Sequence, residues 1–600
     1  MRKPGLARKS IRRLWSFFAG KFAAIGNSRP VCWVAKQRAT RFVSRILYAV
    51  WRFLALWIWW PIKRAIRRVR AFLGRHEVWY WVVAWIGCGL LGAAIQVASP
   101  GKVAAGVLGP LILLICIRRL EFGIIGLMIL VASFMHPSLM PKPITLGGQG
   151  FEPYELLLVV MLVVVFLRAC LYRDTNVFSS PMTIPLILLC MAVLVAVAIS
   201  SLKHVLEPTS WYTTFRWVYN HARPMFFYSL FFVVAFGLRT AKDVKFVFGA
   251  LVIVTAIVGL LMAAQYIAGP GTRLFLVPER QEASLRVESL SAEAEDVTRS
   301  LPPGLFVMPF VFLGSMLMTL GGDKKHRILY GIGCVAIGAG LIFSFTRNLW
   351  LLVLLSMVIT WLLSGGIARI QLAVVTILVV VVAILGSIAV AHLAPEAAGK
   401  EFNTALIKRF TSVFNTQEVM SSSSIRNRLS ENSDAIRQIR ESPILGIGVG
   451  SPLQWKQWTR PGTWTQVSYP VFVIHNSYLE LWLVYGLLGV ISFAWLSILF
   501  LVRSFILFRR LHDQFWKSLV LAMFSSFFVY LGTATVAMTH LHHVGAISVV
   551  VTMWGLVEVI WRLHANHELE TDGSEEPVRS QSLQPRRVPF PRLPGRTQNA

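Results

Sequence analysis

The sequence predicts an all-α polytopic membrane protein with about 12–14 transmembrane helices and one large external loop. Three observations lead there. Of the 600 residues, 56% are hydrophobic and only 14% charged, and the mean hydropathy is +0.62, whereas a soluble chain carries roughly a quarter charged residues. The apolar residues come in runs of about 20, the length that carries a helix across a ~30 Å hydrocarbon core. Those runs are continuous and do not alternate with period two, which excludes an outer-membrane barrel.

Cysteine usage and charge narrow the class. The six cysteines, Cys32, Cys88, Cys116, Cys170, Cys190 and Cys334, avoid the polar loops and form no CxxC pair, so neither disulfides nor structural zinc are expected. The net charge of +31 is concentrated at the start, where residues 1–75 hold 19 Lys/Arg and the first acid is Glu77. Trp15, Phe17, Phe18, Trp51, Trp57, Trp59 and Trp60 are interleaved with those cations. Basic and aromatic residues just before a span suit an anionic leaflet better than nucleic acid. The arm lacks the form of a signal peptide.

Taken in order, the apolar runs are 79–98, 103–117, 122–139, 154–172, 182–202, 215–238, 244–268, 304–320, 328–345, 349–363, 370–392, 477–501, 515–538 and 544–561. With the amino terminus cytoplasmic, the inner connections collect Arg118, Arg119, Arg168, Arg173, Arg239, Lys242, Lys324, Lys325, Arg369, Arg503, Arg509, Arg510 and Arg562. The outer ones hold little beyond Lys102, Lys142 and Lys203, as the positive-inside rule asks. The organisation that follows is an arm (1–75), a first bundle (76–393) with an external loop (269–303), a large external loop (394–474), three last helices (475–562), and a polar tail (563–600) expected to be disordered and cytoplasmic.

The candidate site residues fall on the outer side of that layout. Arg347, in Thr346-Arg347-Asn348, sits at the mouth of a helix pair. Its guanidinium fork suits a diphosphate or a carboxylate, and a snorkelling anchor is the plainer reading. Arg223 lies inside a span, where a charge implies function or a partner. His475 opens a late span and is placed to accept a proton from a hydroxyl, or to serve only as an interfacial residue. Asn476 follows it, one turn from Glu480. The run Ile425–Arg440, with Ile425, Leu429, Ile436 and Ile439 at helical spacing and Arg428 among its cations, reads as a lid or membrane-skimming helix, or as a solvated charged face. Gly446, Gly448 and Gly450 make either a helix stop with a turn or a backbone cradle for phosphate. His540, His542 and His543 lack the carboxylates or further ligands of a metal site.

In combination, Thr346-Arg347-Asn348, then Ser442-Pro443-Ile444-Leu445-Gly446-Ile447-Gly448-Val449-Gly450, then His475-Asn476-Ser477-Tyr478-Leu479-Glu480 with Tyr485-Gly486-Leu487-Leu488-Gly489-Val490 resemble the O-antigen ligase and O-antigen polymerase family. The motif-bearing part runs from Leu341 to Val490. The resemblance implies a class C-like membrane fold and a metal-independent glycosyltransferase without cofactor. It also implies donors that are glycans on undecaprenyl diphosphate and a glycan or glycolipid acceptor. It assigns donor diphosphate binding to Arg347, a second such role to Arg223, a loop-arginine role to Arg428 and activation of the acceptor to His475. Asn348 departs from the family pattern, which has a small residue there, and 14 spans exceed the usual dozen.

Two rival classes remain at this level. A flippase or transporter would carry mid-membrane charges and broken helices in paired halves. A non-catalytic membrane scaffold docked through the basic arm would need neither Arg347 nor His475; polysaccharide-assembly proteins are partners that the resemblance implies.

Overall fold

The computed structural model describes residues 115, 118–131, 144–146, 149–171, 180–206, 218–219, 222–268, 286–289, 298–301, 303–321, 324–344, 346–366, 369–377, 423–460, 463–470, 474–535 and 544–569. All lie in one compact unit, Gly92–Ala600. The basic arm, the first span, nearly all of the second, the polar tail beyond Leu569 and the three clustered histidines lie outside the described residues, as does most of the span expected over 370–392. The start of the tail is ordered, since the last helix runs to Ala565 and Leu569 is buried.

The helices are α1 (Leu120–Val131), α2 (Pro153–Leu171), α3 (Thr183–Leu206), α4 (Leu230–Gly237), α5 (Ala241–Ala268), α6 (Val307–Gly321), α7 (Lys324–Phe343), α8 (Arg347–Leu363), α9 (Ser423–Glu441), α10 (Ser477–Arg510), α11 (Gln514–Thr533) and α12 (Val544–Ala565). Six helical segments among the described residues are long and apolar enough to cross a membrane: Thr183–Lys203, Ala241–Gln265, His326–Phe343, Ser477–Arg510, Gln514–Thr533 and Val544–Ala565. Four shorter apolar helices accompany them, one being Ala222–Gly237, which contains α4. The fold is an all-α polytopic bundle.

Three two-stranded antiparallel hairpins decorate it: β1–β2 (Ile144–Leu146 with Gln149–Phe151), β3–β4 (Arg286–Ser289 with Thr298–Leu301) and β5–β6 (Pro452–Arg460 with Thr463–Pro470). The last two lie in stretches expected to be plain loop.

Helices α6 and α12 form the centre. α6 is buried over most of its length, from Val307 to Met318. In α12, Trp554 and Ile560 are fully enclosed. The lipid-facing faces belong to helices such as α5 and α7, where Ile257, Leu260, Ile328 and Ile332 are exposed. These two pack backbone against backbone, because a Cβ on Gly259 would come within 2.2 Å of the Ala336 carbonyl oxygen. Small residues allow that approach between membrane helices, where van der Waals packing replaces the hydrophobic drive.

The feature that positions everything at one end of the bundle is a break in α10. Gly486 adopts φ 66° and ψ −167° within an otherwise continuous helix, a region open essentially to glycine alone. The break frees a carbonyl and an amide that lipid could not satisfy. The glycine-rich loop after α9 takes both. The Ile447 amide donates to the Leu483 carbonyl at 2.7 Å, and the Leu487 amide donates to the Ile444 carbonyl at 3.0 Å. Trp482 adds an indole N–H to the Pro443 carbonyl at 2.8 Å. Gly446 (φ 75°) faces Gly486 so closely that a Cβ on either would meet the other segment's backbone, at 2.7 Å and 2.3 Å.

The same loop is tied to the last turns of α3. Ser200 donates its hydroxyl to the Val449 carbonyl at 2.5 Å, and Lys203 donates to the Ile447 carbonyl at 2.7 Å. The loop therefore ends α9, as its glycines suggest, and its close backbone approach is to the protein itself. The amides of Gly446, Ile447 and Val449 are committed to Ser442, Leu483 and Ala196, which removes them as a phosphate cradle.

Gly486→Ala should lower stability by about 2–4 kcal/mol, from backbone strain plus overpacking. Gly532→Ala, where a Cβ meets nothing within 4 Å, should change stability little. Thermal unfolding of both variants in detergent checks the contrast.

Candidate functional site

Helix α9 is amphipathic, and of the expected apolar stripe Ile439 packs inward. Ile436 and Leu429 are exposed, while Glu431, Ala435 and Ile439, spaced at i, i+4 and i+8, are buried. The reason is Glu431. Its Oε2 accepts from the His475 backbone amide at 3.1 Å and pairs with His475 Nδ1 at 2.9 Å. Its side chain is only 5% exposed, against 36% for His475. A buried carboxylate needs a charge-assisted partner, so this pairing turns the acid-bearing face of α9 inward.

The chemical consequence lies in the imidazole. A carboxylate on Nδ1 favours the tautomer protonated there and leaves the Nε2 lone pair as the acceptor. Such an imidazole is oriented to take a proton from an incoming hydroxyl, and the carboxylate stabilises the imidazolium that results.

Arg428 lies one turn before Glu431 on α9. Burial pulls its guanidinium below the usual arginine value, and the charge of Glu431 works against that shift. Its Nε is buried without a hydrogen-bond partner. Asn476 acts locally, as the cap of α10, with its Oδ1 accepting from the amides of Tyr478 (3.1 Å) and Leu479 (3.2 Å). Tyr478 anchors this turn by donating to the Leu531 carbonyl at 2.7 Å, and the Ser477 amide donates to the Ala534 carbonyl at 2.9 Å. The start of α10 is thus fixed against the end of α11, with His475 just before the cap. Glu480, one turn further, is buried at 1% exposure.

Arg223 sits in a second cluster at the start of α2. Its Nε is ion-paired with Glu155, its Nη2 lies 3.9 Å from Glu152, and the same Nη2 donates to the Tyr154 hydroxyl. Tyr219 donates to Glu155 at 3.1 Å, and the Glu152 amide donates to Glu155 Oε2 at 2.8 Å. That last bond is the return half of a capping box. An arginine this deep requires a partner, and here two acids supply it. Arg347 is the first residue of α8; its side chain lies outside the described residues. The turn before it is held by the Ser344 hydroxyl, which donates to the Leu341 carbonyl and accepts from the Thr346 amide.

The structure thus joins His475 to Glu431 and couples Arg428 to that acid, while Arg223 keeps its own acidic cluster. Sequence reasoning missed Glu431. The usable signal was its position, four residues before Ala435 and eight before Ile439, on the less charged face of the helix.

These features define a multi-pass membrane protein with a carboxylate–imidazole pair at the end of a helix bundle, against a broken helix. The comparison with known families specifies which kind. Residues 332–494 match the O-antigen ligase family model, a stretch that contains α8, α9, the glycine-rich loop, the β5–β6 hairpin, His475 and the break at Gly486. Over that stretch the chain is similar to the O-antigen ligase family, a similarity that points to membrane glycan processing of ligase or polymerase type. No curated protein matches the chain.

Arg223→Gln should cost about 3 kcal/mol, because it strands Glu155 and Glu152 in a largely buried place. Adding Glu155→Gln to that variant should recover part of the loss. A double-mutant cycle read by thermal unfolding in detergent tests the coupling, and strict additivity would refute it.

Proposed function

We propose that the protein is a metal-independent glycosyltransferase that extends surface polysaccharide from undecaprenyl-diphosphate-linked glycan donors. In this reading it acts on the outer face of the bacterial inner membrane, with both termini cytoplasmic. The observation that carries the proposal is the His475–Glu431 pair at 2.9 Å, inside the matched domain.

In the proposed step, His475 Nε2 takes the proton of an acceptor sugar hydroxyl. The oxygen attacks the anomeric carbon of the donor glycan, a new glycosidic C–O bond forms, and the bond to the diphosphate breaks. Undecaprenyl diphosphate leaves with both electrons of that bond. The leaving group needs positive charge and no general acid. Arg347 supplies it in this reading, at the amino terminus of α8, where the helix dipole favours an anion. Arg428 contributes a further positive charge beside Glu431. Arg223 and Asn476 are assigned supporting roles toward donor and acceptor, Arg223 through the acidic cluster that holds it and Asn476 through the cap that sets His475.

The break in α10 bears on the transporter alternative. In transporters, discontinuous helices present their free ends to substrate and ions. Here the ends around Gly486 are filled by Ile444 and Ile447 of the protein's own loop. That favours chemistry at a fixed site over alternating access. Between the two family activities, polymerisation is preferred, because nothing in the sequence resembles recognition of a lipid A core acceptor.

The test is chain-length analysis of surface and lipid-linked glycans after deletion of the gene and complementation. His475→Ala should lose on the order of 10²–10⁴ in turnover, the scale of a general base. Glu431→Gln, which keeps shape but removes the charge, should lose less, with donor KM unchanged. Arg347→Ala should raise donor KM and lower turnover together. Long chains that persist on undecaprenyl diphosphate but never reach a final acceptor would identify a ligase. Full rescue by His475→Ala and Arg347→Ala would overturn the catalytic assignment.

A further inference from the structure

At the other end of α10, some 26 residues beyond Ser477 and so about 39 Å away along a helix, the bundle holds a different polar site. A cavity of about 290 Å³ opens between the start of α3, the end of α4 and the carboxy-terminal parts of α10 and α12. Ser180, Phe236, Arg503, Glu558, Trp561 and Arg562 line it. Its size is near the lower end of small-molecule sites.

The charges in this cavity do not cancel. Arg503 is paired with Glu558 by two contacts, Nε to Oε1 at 2.6 Å and Nη2 to Oε2 at 3.2 Å. Arg562 is held by carbonyl oxygens, those of Ala235 at 2.9 Å and Leu238 at 2.5 Å. Those carbonyls close the negative end of α4 and orient the guanidinium without cancelling its charge. Arg503 and Arg510 lie over the Trp561 ring at 4.3 Å and 5.7 Å, and Arg562 also feels Arg239. With Arg510 and Arg239, which do not line the cavity, these four cations face Glu558 and Glu568, and Glu568 acts on Arg562 more strongly than Glu558 does. The balance calls for an anion.

The surroundings say which kind. Ile184, four residues after the Ser180 that lines the cavity, exposes apolar surface at the start of α3, a helix long enough to cross a membrane. A free anion would use only the guanidinium groups. A phospholipid would use these groups for its phosphate, Trp561 for its interfacial region and the exposed aliphatic face for its chains. Basic pockets between transmembrane helices are suited to such headgroups.

We propose that this cavity binds the phosphate-bearing headgroup of an anionic phospholipid, on the membrane face opposite His475. The site is independent of the glycosyl-transfer reading, since none of its residues belongs to that chemistry.

The test uses the full-length chain, purified in detergent and stripped of lipid, titrated with phosphatidylglycerol, phosphatidylcholine or inorganic phosphate. Bound lipid is counted by native mass spectrometry. The basic arm is present in every sample, so the comparison between variants isolates the cavity. Arg562→Gln should weaken phosphatidylglycerol binding about fivefold, the scale of one basic side chain at an anionic lipid surface. Arg510→Gln, which leaves the α4 carbonyls untouched, should weaken it in the same direction and serves if Arg562→Gln fails to fold. Unchanged phosphatidylglycerol affinity in the folded variants overturns the proposal. So does a response to phosphatidylcholine, or to inorganic phosphate alone, that depends on these arginines as strongly.

Discussion

The architecture around His475 rests on one constraint: backbone groups released inside a membrane bundle must find partners within the protein. At Gly486 the α10 ladder stops, and the Leu483 carbonyl and Leu487 amide are recaptured by Ile447 and Ile444. Those two bonds determine where the glycine-rich loop lies. The loop's position sets the end of α9, because Ser442 and Gly446 bond to each other directly after Glu441. The position of α9 then places Glu431 against His475. A feature that looks like helix irregularity is therefore the origin of the one carboxylate–imidazole pair described at this end.

Glycine is needed at both faces of this contact for different reasons. Gly486 needs its conformation, and Gly446 needs both its conformation and the missing Cβ, since each backbone sits against the other. Gly448 has a similar role toward α3, where a Cβ would press on Ser200. Three glycines in five positions thus reflect two close approaches, to α10 and to α3, and a third positive-φ position at Gly450 (φ 76°). That explains why the sequence pattern suggests a flexible turn while the folded segment is closely held.

The membrane class and the order of the motifs were legible, because both depend on local composition: long apolar runs, a polar interruption, and glycines or histidine at fixed places within it. Partnerships at long range were not. Glu155 lies 68 residues before Arg223, and Glu431 lies 44 before His475. An acid in a helix that also carries Arg426, Arg428, Arg437 and Arg440 has the signature of a solvated face. Of the apolar stripe Ile425, Leu429, Ile436 and Ile439, Ile439 packs inward beside Glu431 while Leu429 and Ile436 are exposed. Asn476 was noticed for its neighbourhood to His475, and the structure gives that proximity a physical reason, since the cap fixes the helix start immediately after the imidazole.

The two polar sites at opposite ends share helix α10, and the break divides that helix unequally. The segment from Ser477 to Tyr485 is short, anchored by Asn476, Tyr478 and Ser477 to its own cap and to the end of α11. The segment from Leu487 to Arg510 is long and carries the lipid-facing surface and the cations of the far cavity. A continuous helix would pass rotations or tilts of the long segment directly to His475. With Gly486 between them, and the loop of α9 bonded to both sides of the break, the short segment takes its orientation from α9 and α11. The imidazole is thereby referenced to the elements that hold Glu431, and its alignment is insulated from the part of α10 that must follow the bilayer.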